Sequence, residues 1–183
     1  MARLRAETAD CHQRLEARSA VLERAACPHR RRDLVLAFHR LHSAADAGMG
    51  PLLARTPGLE YRRRRLPLLR ADLASLKVRP GARPVPTALA CRAEAMGMLY
   101  VLEGSTLGAQ VIRRELAQAG ADFHGLTFLD PYGAGTGAMW RSFLEVLTRT
   151  AAEQADGPEA AVRGGLAGFA LAEELLRPAE TLA

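Results

Sequence analysis

The sequence has little of what would support a disulfide-stabilised, nucleic-acid-binding or membrane-spanning protein. Three cysteines without CxxC spacing indicate neither a disulfide framework nor a zinc site, so we expect free thiols. Aromatic residues make up only 5% and do not interleave with the arginines, which weakens a nucleic-acid-binding interpretation of the net charge of +5. No apolar run approaches the length of a membrane span, and the N-terminal segment lacks a signal-peptide core. We therefore expect a cytoplasmic protein without a membrane partner.

The residues that are abundant favour a globular helical protein. The chain has 183 residues, of which 49% are hydrophobic, and this fits one domain over residues 1–183 with a sizeable core. Strand-forming residues are scarce beside Ala, Leu, Arg and Glu, which favours an all-α fold. Apolar periodicity predicts six helices, over residues 3–24, 29–53, 58–76, 87–119, a fifth after Pro131 that becomes regular beyond Gly137, and 159–177.

Three glycines lie on one face of the fourth predicted helix. At roughly 100° per residue, Gly97, Gly104 and Gly108 fall within about 40° of one another. Each glycine in a helix interior costs about 0.8–1 kcal/mol relative to alanine. Either a flat or bulky group lies against the backbone there, or another helix approaches closely. A lipid-facing Gly-x-x-x-Gly motif is disfavoured because charged residues interrupt the apolar run.

The centre of the same helix is expected to kink. Ser105 and Thr106 lie between two of the glycines, and their hydroxyls can bond back to the preceding turn.

The first predicted helix carries a histidine beside its buried stripe. The residues that lie beside this stripe are Arg5, Thr8, His12 and Glu16. A neutral imidazole at His12 could ligate iron or zinc, and the carboxylate of Glu16, one turn onward, could orient it. The alternative is a surface histidine with a polar neighbour.

The other histidines and a run of arginines are interpreted structurally. His29, His39 and His42 belong to no metal-binding motif, which favours core or surface positions for each. The arginines at 62–65 go all the way round a helix, so at least one must face inward or lay its side chain along the surface. A solvated face is the usual explanation of such a run, and docking of an acidic partner is the sharper one.

Two motifs together resemble the haem oxygenase family, and its bacterial branch in particular. They are Leu4-Arg5-x-x-Thr8-x-x-x-His12-x-x-x-Glu16 and, about ninety residues later, Tyr100-Val-Leu-Glu-Gly-Ser-Thr-Leu-Gly108. The resemblance extends to the helix at 61–76 and to Trp140-Arg-Ser-Phe143, so it covers most of the chain. That bacterial branch includes enzymes that supply biliverdin to phytochromes.

The resemblance implies a single-domain, multi-helix bundle in which haem lies between the first helix and the kinked fourth helix. His12 would be the axial iron ligand. The distal catalytic surface would consist of Gly104, Ser105 and Gly108. The implied cofactor contacts are Arg5, Thr8, Glu16, Tyr100 and Arg141, and the two arginines are suited to the haem propionates.

The implied activity is the oxidative cleavage of haem, which serves as both cofactor and substrate. It uses O2 and electrons from a separate reductase or ferredoxin, and it yields biliverdin, carbon monoxide and ferrous iron. A biliverdin-accepting phytochrome is a further implied partner, whereas nucleic acid is not.

Three positions depart from the family pattern. Ser105 stands where animal-type enzymes have an aspartate that holds a distal water, and Ala109 replaces a further glycine. Glu145 falls where another basic propionate contact is expected, so the meso position that is attacked is left open. A haem carrier or sensor that binds without cleaving is the alternative, and the missing aspartate supports it. A non-haem helical enzyme would need carboxylate or cysteine pairs at spacings that the sequence lacks.

Overall fold

The computed structural model describes residues 2–60, 65–82 and 85–178. Within these ranges the chain is all-α, as expected, and contains no strand. The helices are α1 (Ala2–Glu7), α2 (Ala9–Ser19), α3 (Val21–Ala26), α4 (Pro28–Leu53), α5 (Arg65–Ser75), α6 (Arg92–Gln118), α7 (Thr136–Ala152) and α8 (Gly157–Leu176). Short 3-10 turns at Thr127–Leu129 and Gly133–Gly135 lead into α7.

The first predicted helix is in fact three helices, so the prediction of one continuous helix was wrong. The second break is at Ala20, whose φ of 47° lies in the left-handed region. That conformation costs about 1–2 kcal/mol for a residue with a side chain. The buried guanidinium of Arg24 compensates by donating to the carbonyls of Ser19 (3.2 Å) and Leu176 (2.7 Å). A long-range contact therefore fixes a bend that helix periodicity does not reveal.

The later helices agree with the sequence more closely. The main difference is at α6, which begins at Arg92 because residues 87–91 are extended and the carboxylate of Glu94 accepts the N–H of Ala90 (2.8 Å). The third helix was predicted from residue 58, and that start was wrong. Residues 58–60 are not helical, because Gly58 has a φ of 88° and its N–H donates to the Glu60 carboxylate (2.9 Å), and residues 61–64 lie outside the described residues. Cys11, Cys27 and Cys91 are free thiols, as expected. None of the described helices is both long and apolar enough to cross a bilayer.

Helix α8 is the common support for the two motif-bearing parts of the chain. A methyl group at Gly97 of α6 would lie 1.9 Å from the carbonyl oxygen of Ala161 on α8, so these two helices touch backbone to backbone. A methyl group at Gly165 would lie 2.7 Å from Leu4 Cδ1 and 3.3 Å from Thr8 Cγ2. The α1–α2 segment and α6 therefore both pack on α8.

Candidate functional site

Helix α8 brings His12 and the centre of α6 to the same level. The His12 ring meets the Phe169 ring edge-on, with centroids 5.9 Å apart. One residue earlier on α8, a methyl group at Gly168 would lie 3.0 Å from Val101 Cγ2 of α6. His12 and Val101, which lies one turn before Gly104, thus contact neighbouring residues of α8.

The imidazole of His12 is accessible and has a carboxylate beside it. Its side chain is 59% exposed, and Nδ1 lies 3.6 Å from Oε2 of Glu16. With Nδ1 next to this carboxylate, Nε2 is the atom that an iron would take, and the carboxylate would orient the ring. No group of three or more His, Cys, Asp or Glu side chains within the described ranges could hold a metal ion. A single imidazole suits an iron held by a porphyrin and not a structural zinc.

The glycine face of α6 is closed at one end and open at the other. Gly97 is used for close contact with α8, the plainer of the two explanations considered for the stripe. Of the residues that the structure describes, a methyl group at Gly104 would meet only the indole of Trp140, 3.5 Å from Cη2, and one at Gly108 would meet none within 4 Å. Leu107 and Val111, the apolar neighbours of Gly108, are 39% and 52% exposed. An open, apolar and side-chain-free surface is what a flat hydrophobic ligand requires.

Arg5 lies near Tyr100 at one corner of this surface, and Arg141 lies on the neighbouring α7, with its Nη1 3.5 Å from the position of a methyl group at Gly137. Arg5 is close enough to Tyr100 for its charge to lower the pKa of that phenol, although burial outweighs it and the pKa is raised. The Tyr100 ring lies 5.3 Å from the ring of Trp140, and Arg141 is the next residue of α7. Both arginines are exposed. This corner could bind a pair of propionates through charge-assisted hydrogen bonds.

Thr8 does not lie with the other predicted cofactor contacts. It is 2% exposed, and its hydroxyl donates to the carbonyl of Leu4 (2.7 Å) at the break between α1 and α2. Its methyl group faces α8. In this structure Thr8 stabilises the junction that positions His12.

Ser105 is exposed, and its hydroxyl contacts α5. Its hydroxyl donates to the carbonyl of Leu102 (2.7 Å) and accepts from Nη1 of Arg65 (2.6 Å). Thr106 bonds back similarly to Glu103 (2.6 Å), so the predicted hydroxyl contacts with the preceding turn are confirmed. The kink itself remains a prediction, since α6 is assigned as one continuous helix.

Arg65 is the functional candidate that the sequence did not single out. Its Nη1 also donates to the Leu102 carbonyl (3.2 Å) and lies 3.4 Å from Nε2 of His42. Burial lowers the pKa of Arg65 to about 10, although the charge of Glu103 opposes the shift. Burial and the adjacent Arg65 hold the pKa of His42 well below its ordinary value, so His42 is neutral. The only sequence signal for Arg65 was that one arginine of the run at 62–65 had to face inward.

A separate cavity of about 630 Å³ lies on the α5 side of α6. Its lining includes His42, Arg65, Leu99, Leu102 and Glu103, together with the chain that follows α4. Neither His12 nor Gly108 borders it. The cavity and the open glycine surface therefore lie on different sides of α6.

The chain is similar in sequence to two bacterial heme oxygenases. No family model matches the chain. It is 36% identical over 142 residues to the heme oxygenase of Xanthomonas campestris, covering 72% of this chain and 79% of that protein. It is also 36% identical over 155 residues to heme oxygenase PigA of Pseudomonas aeruginosa, covering 79% and 75%.

A solved structure gives the same result for the fold. The NO- and CO-bound heme oxygenase of Neisseria meningitidis superposes with a TM-score of 0.76 at 24% identity, covering 99% of this chain and 96% of that one. Together with the sequence relatives, this shows that the chain belongs to the haem oxygenase family.

Proposed function

We propose that this protein binds haem between His12 and the Gly104–Gly108 surface and cleaves it to biliverdin, carbon monoxide and ferrous iron. The observation that carries the proposal is the pairing of an exposed imidazole with an open glycine surface at the same level of α8. When bound, the haem supplies both the iron that activates O2 and the macrocycle that is oxidised.

The residues of the chain have distinct roles in this proposal. His12 provides the iron ligand, and Glu16 orients its ring. Gly104 and Gly108 leave space over the iron that any side chain would fill. Arg5 and Arg141 bind the propionates, and the phenol of Tyr100 lies between the helices that carry them.

Ser105 acts through its hydrogen bond with the buried Arg65 in this proposal. The Ser105 hydroxyl donates to the Leu102 carbonyl, and its oxygen accepts a hydrogen bond from Arg65. We propose that this clamp from α5 holds the turn of α6 between the two glycines, and that an aspartate is not needed there. A buried cation is well suited to this because it can donate to several acceptors at once.

The partners and location extend the same proposal. We propose, from the family resemblance, that a separate reductase or ferredoxin delivers the electrons. A phytochrome that takes up the biliverdin, and a cytoplasmic location, are further proposals that rest on the family resemblance.

A haem carrier or sensor of the same fold is the second candidate. Its support is the absence of an aspartate at position 105. It differs from the enzyme in one respect that can be measured, because bound haem would survive reductant and air.

The test is a haem titration followed by turnover. Ferric haem added to the purified protein should give a Soret band at one equivalent, and His12→Ala should weaken or shift it. His29→Ala, which changes an exposed histidine at the start of α4, is the matched control and should behave as the wild type. Ascorbate under air should then replace the Soret band with the absorption of biliverdin.

Each outcome has one interpretation. A Soret band that persists while reductant is consumed would identify a carrier. The absence of any Soret band in the wild type would refute haem binding. An unchanged spectrum in His12→Ala would refute the assignment of the iron ligand.

A further inference from the structure

Trp140 is the one described side chain that covers part of the open glycine surface. Its Cη2 and Cζ3 atoms would lie 3.5 and 3.7 Å from a methyl group at Gly104, which is ordinary van der Waals contact. No side chain of the described residues covers Gly108, one turn further along α6. A flat ligand on this surface would therefore meet the indole at the Gly104 end and no described side chain at the Gly108 end.

The indole is held firmly enough to act as a wall. Its ring lies 5.3 Å from that of Tyr100 on α6 and 5.6 Å from that of Phe143 on α7. Phe143 is fully buried, so the contact joins Trp140 to the core. Aromatic contacts on two sides restrict the rotamers that are open to an indole.

The charged groups alone are poorly suited to fixing one rotation of a disc-shaped ligand. Arg5 and Arg141 are exposed and have long, flexible side chains, and exposed ion pairs are weak and screened by salt. Glu145, one turn beyond Arg141 on α7, would repel a propionate and provides no second anchor. Two flexible side chains that bind one edge of a disc-shaped ligand still allow the ligand to rotate. A rigid group that contacts the ligand at a second point would limit this rotation.

We propose that the indole of Trp140 fixes the rotation of haem in the cleft and so selects the meso carbon that is oxidised. This rests on the proposed function. Trp140 acts by contact with the edge of the macrocycle and takes no part in proton or electron transfer. The cations bring the propionates to their corner, and the indole excludes the rotations in which the ring would overlap it.

The experiment compares Trp140→Ala and Trp140→Phe with the wild type and with Phe123→Ala. Phe123 is a half-buried aromatic beside Arg113 near the far end of α6, so its change is the matched control. One readout is the ratio of biliverdin isomers, separated by chromatography. The other needs no turnover and is the proton NMR pattern of the haem methyl groups in the ferric cyanide complex, which reports the rotation directly.

We expect one dominant isomer and one set of methyl resonances for the wild type and Phe123→Ala. Trp140→Phe should give a smaller change than Trp140→Ala, because its ring lacks the Cη2 and Cζ3 atoms that stand over Gly104. In Trp140→Ala we expect the isomer ratio to move by about tenfold or more, with a second set of resonances. Identical isomers and resonances in Trp140→Ala would overturn the proposal, as would a mixture in the wild type. If Trp140→Ala fails to fold, Trp140→Leu provides the same comparison with most of the volume kept.

The two proposals fail in different ways. A wild type that binds haem and yields no biliverdin would refute the proposed function, and the NMR comparison would still decide the role of Trp140. A wild type that yields biliverdin, with a rotation that ignores position 140, would refute only the role of Trp140.

Discussion

Substituting two glycines of α6 tests whether the open surface exists before any haem is added. At Gly108 an alanine methyl group would meet no atom within 4 Å. The variant Gly108→Ala therefore gains helix propensity and loses no contact, which is worth about 0.8–1 kcal/mol. For a protein of this size, a gain of this kind raises Tm by about 2–4 °C per kcal/mol.

Gly97→Ala is the matched substitution with the opposite expected sign. Its methyl group would lie 1.9 Å from the Ala161 carbonyl oxygen and 2.9 Å from the Gly165 nitrogen, and both are backbone atoms that cannot rotate away. Helices α6 and α8 would have to separate. Overpacking of a tight core usually costs about 1–3 kcal/mol, and we expect Gly97→Ala to lose about 3 kcal/mol or more.

Urea unfolding of the haem-free proteins, followed by circular dichroism, measures both effects. Gly108→Ala should have a higher midpoint than the wild type and Gly97→Ala a lower one. Gly108→Ala should nonetheless bind haem less tightly, because its new methyl group stands on the distal surface. If Gly108→Ala instead loses stability as Gly97→Ala does, position 108 is buried and the open surface does not exist.

Three further predictions concern the buried network and the propionate corner. Arg65→Met should lower the free energy of unfolding by about 1–3 kcal/mol, because the Leu102 carbonyl and the Ser105 hydroxyl lose their hydrogen bonds from the buried guanidinium, and an unchanged free energy of unfolding in urea would contradict this. His42 resists protonation in the folded protein, whereas in the unfolded chain it takes up a proton near pH 6.5. The free energy of unfolding should therefore fall as the pH drops below about 6.5, by up to 1.4 kcal/mol per pH unit. In His42→Gln this part of the pH dependence should vanish, and an unchanged slope would show that His42 is not held neutral. Arg5→Glu should weaken haem binding by about tenfold in a Soret titration. Arg18→Glu changes another exposed arginine of the first helical segment and should not weaken binding, and equal effects of the two substitutions would exclude a specific propionate contact at Arg5.

The sequence predicted the helices well where periodicity is local. The bounds of α4 and α8 agree within two residues at each end, because long amphipathic patterns specify them. The break at Ala20 could not be predicted, because it depends on Arg24 reaching the end of α8, more than 150 residues away. Tertiary contacts of this kind override a continuous helical pattern.

The candidate site was predictable in its motifs and not in its supporting contacts. Spacing alone placed Glu16 beside His12, since residues four apart share a helix face. The spacing of the three glycines does not reveal that α8 closes Gly97 and leaves Gly108 open, which depends on how the helices pack. That Arg65 clamps Ser105 depends on how α5 packs against α6, and no local pattern encodes it.

The central claim is that haem lies between His12 and the Gly104–Gly108 surface, and a crystal structure of the ferric haem complex tests it most directly. The account predicts that His12 Nε2 ligates the iron and that the backbone of α6 at Gly104 and Gly108 lies over the opposite face. Haem in the cavity on the α5 side of α6, or iron ligated by another residue, would contradict it.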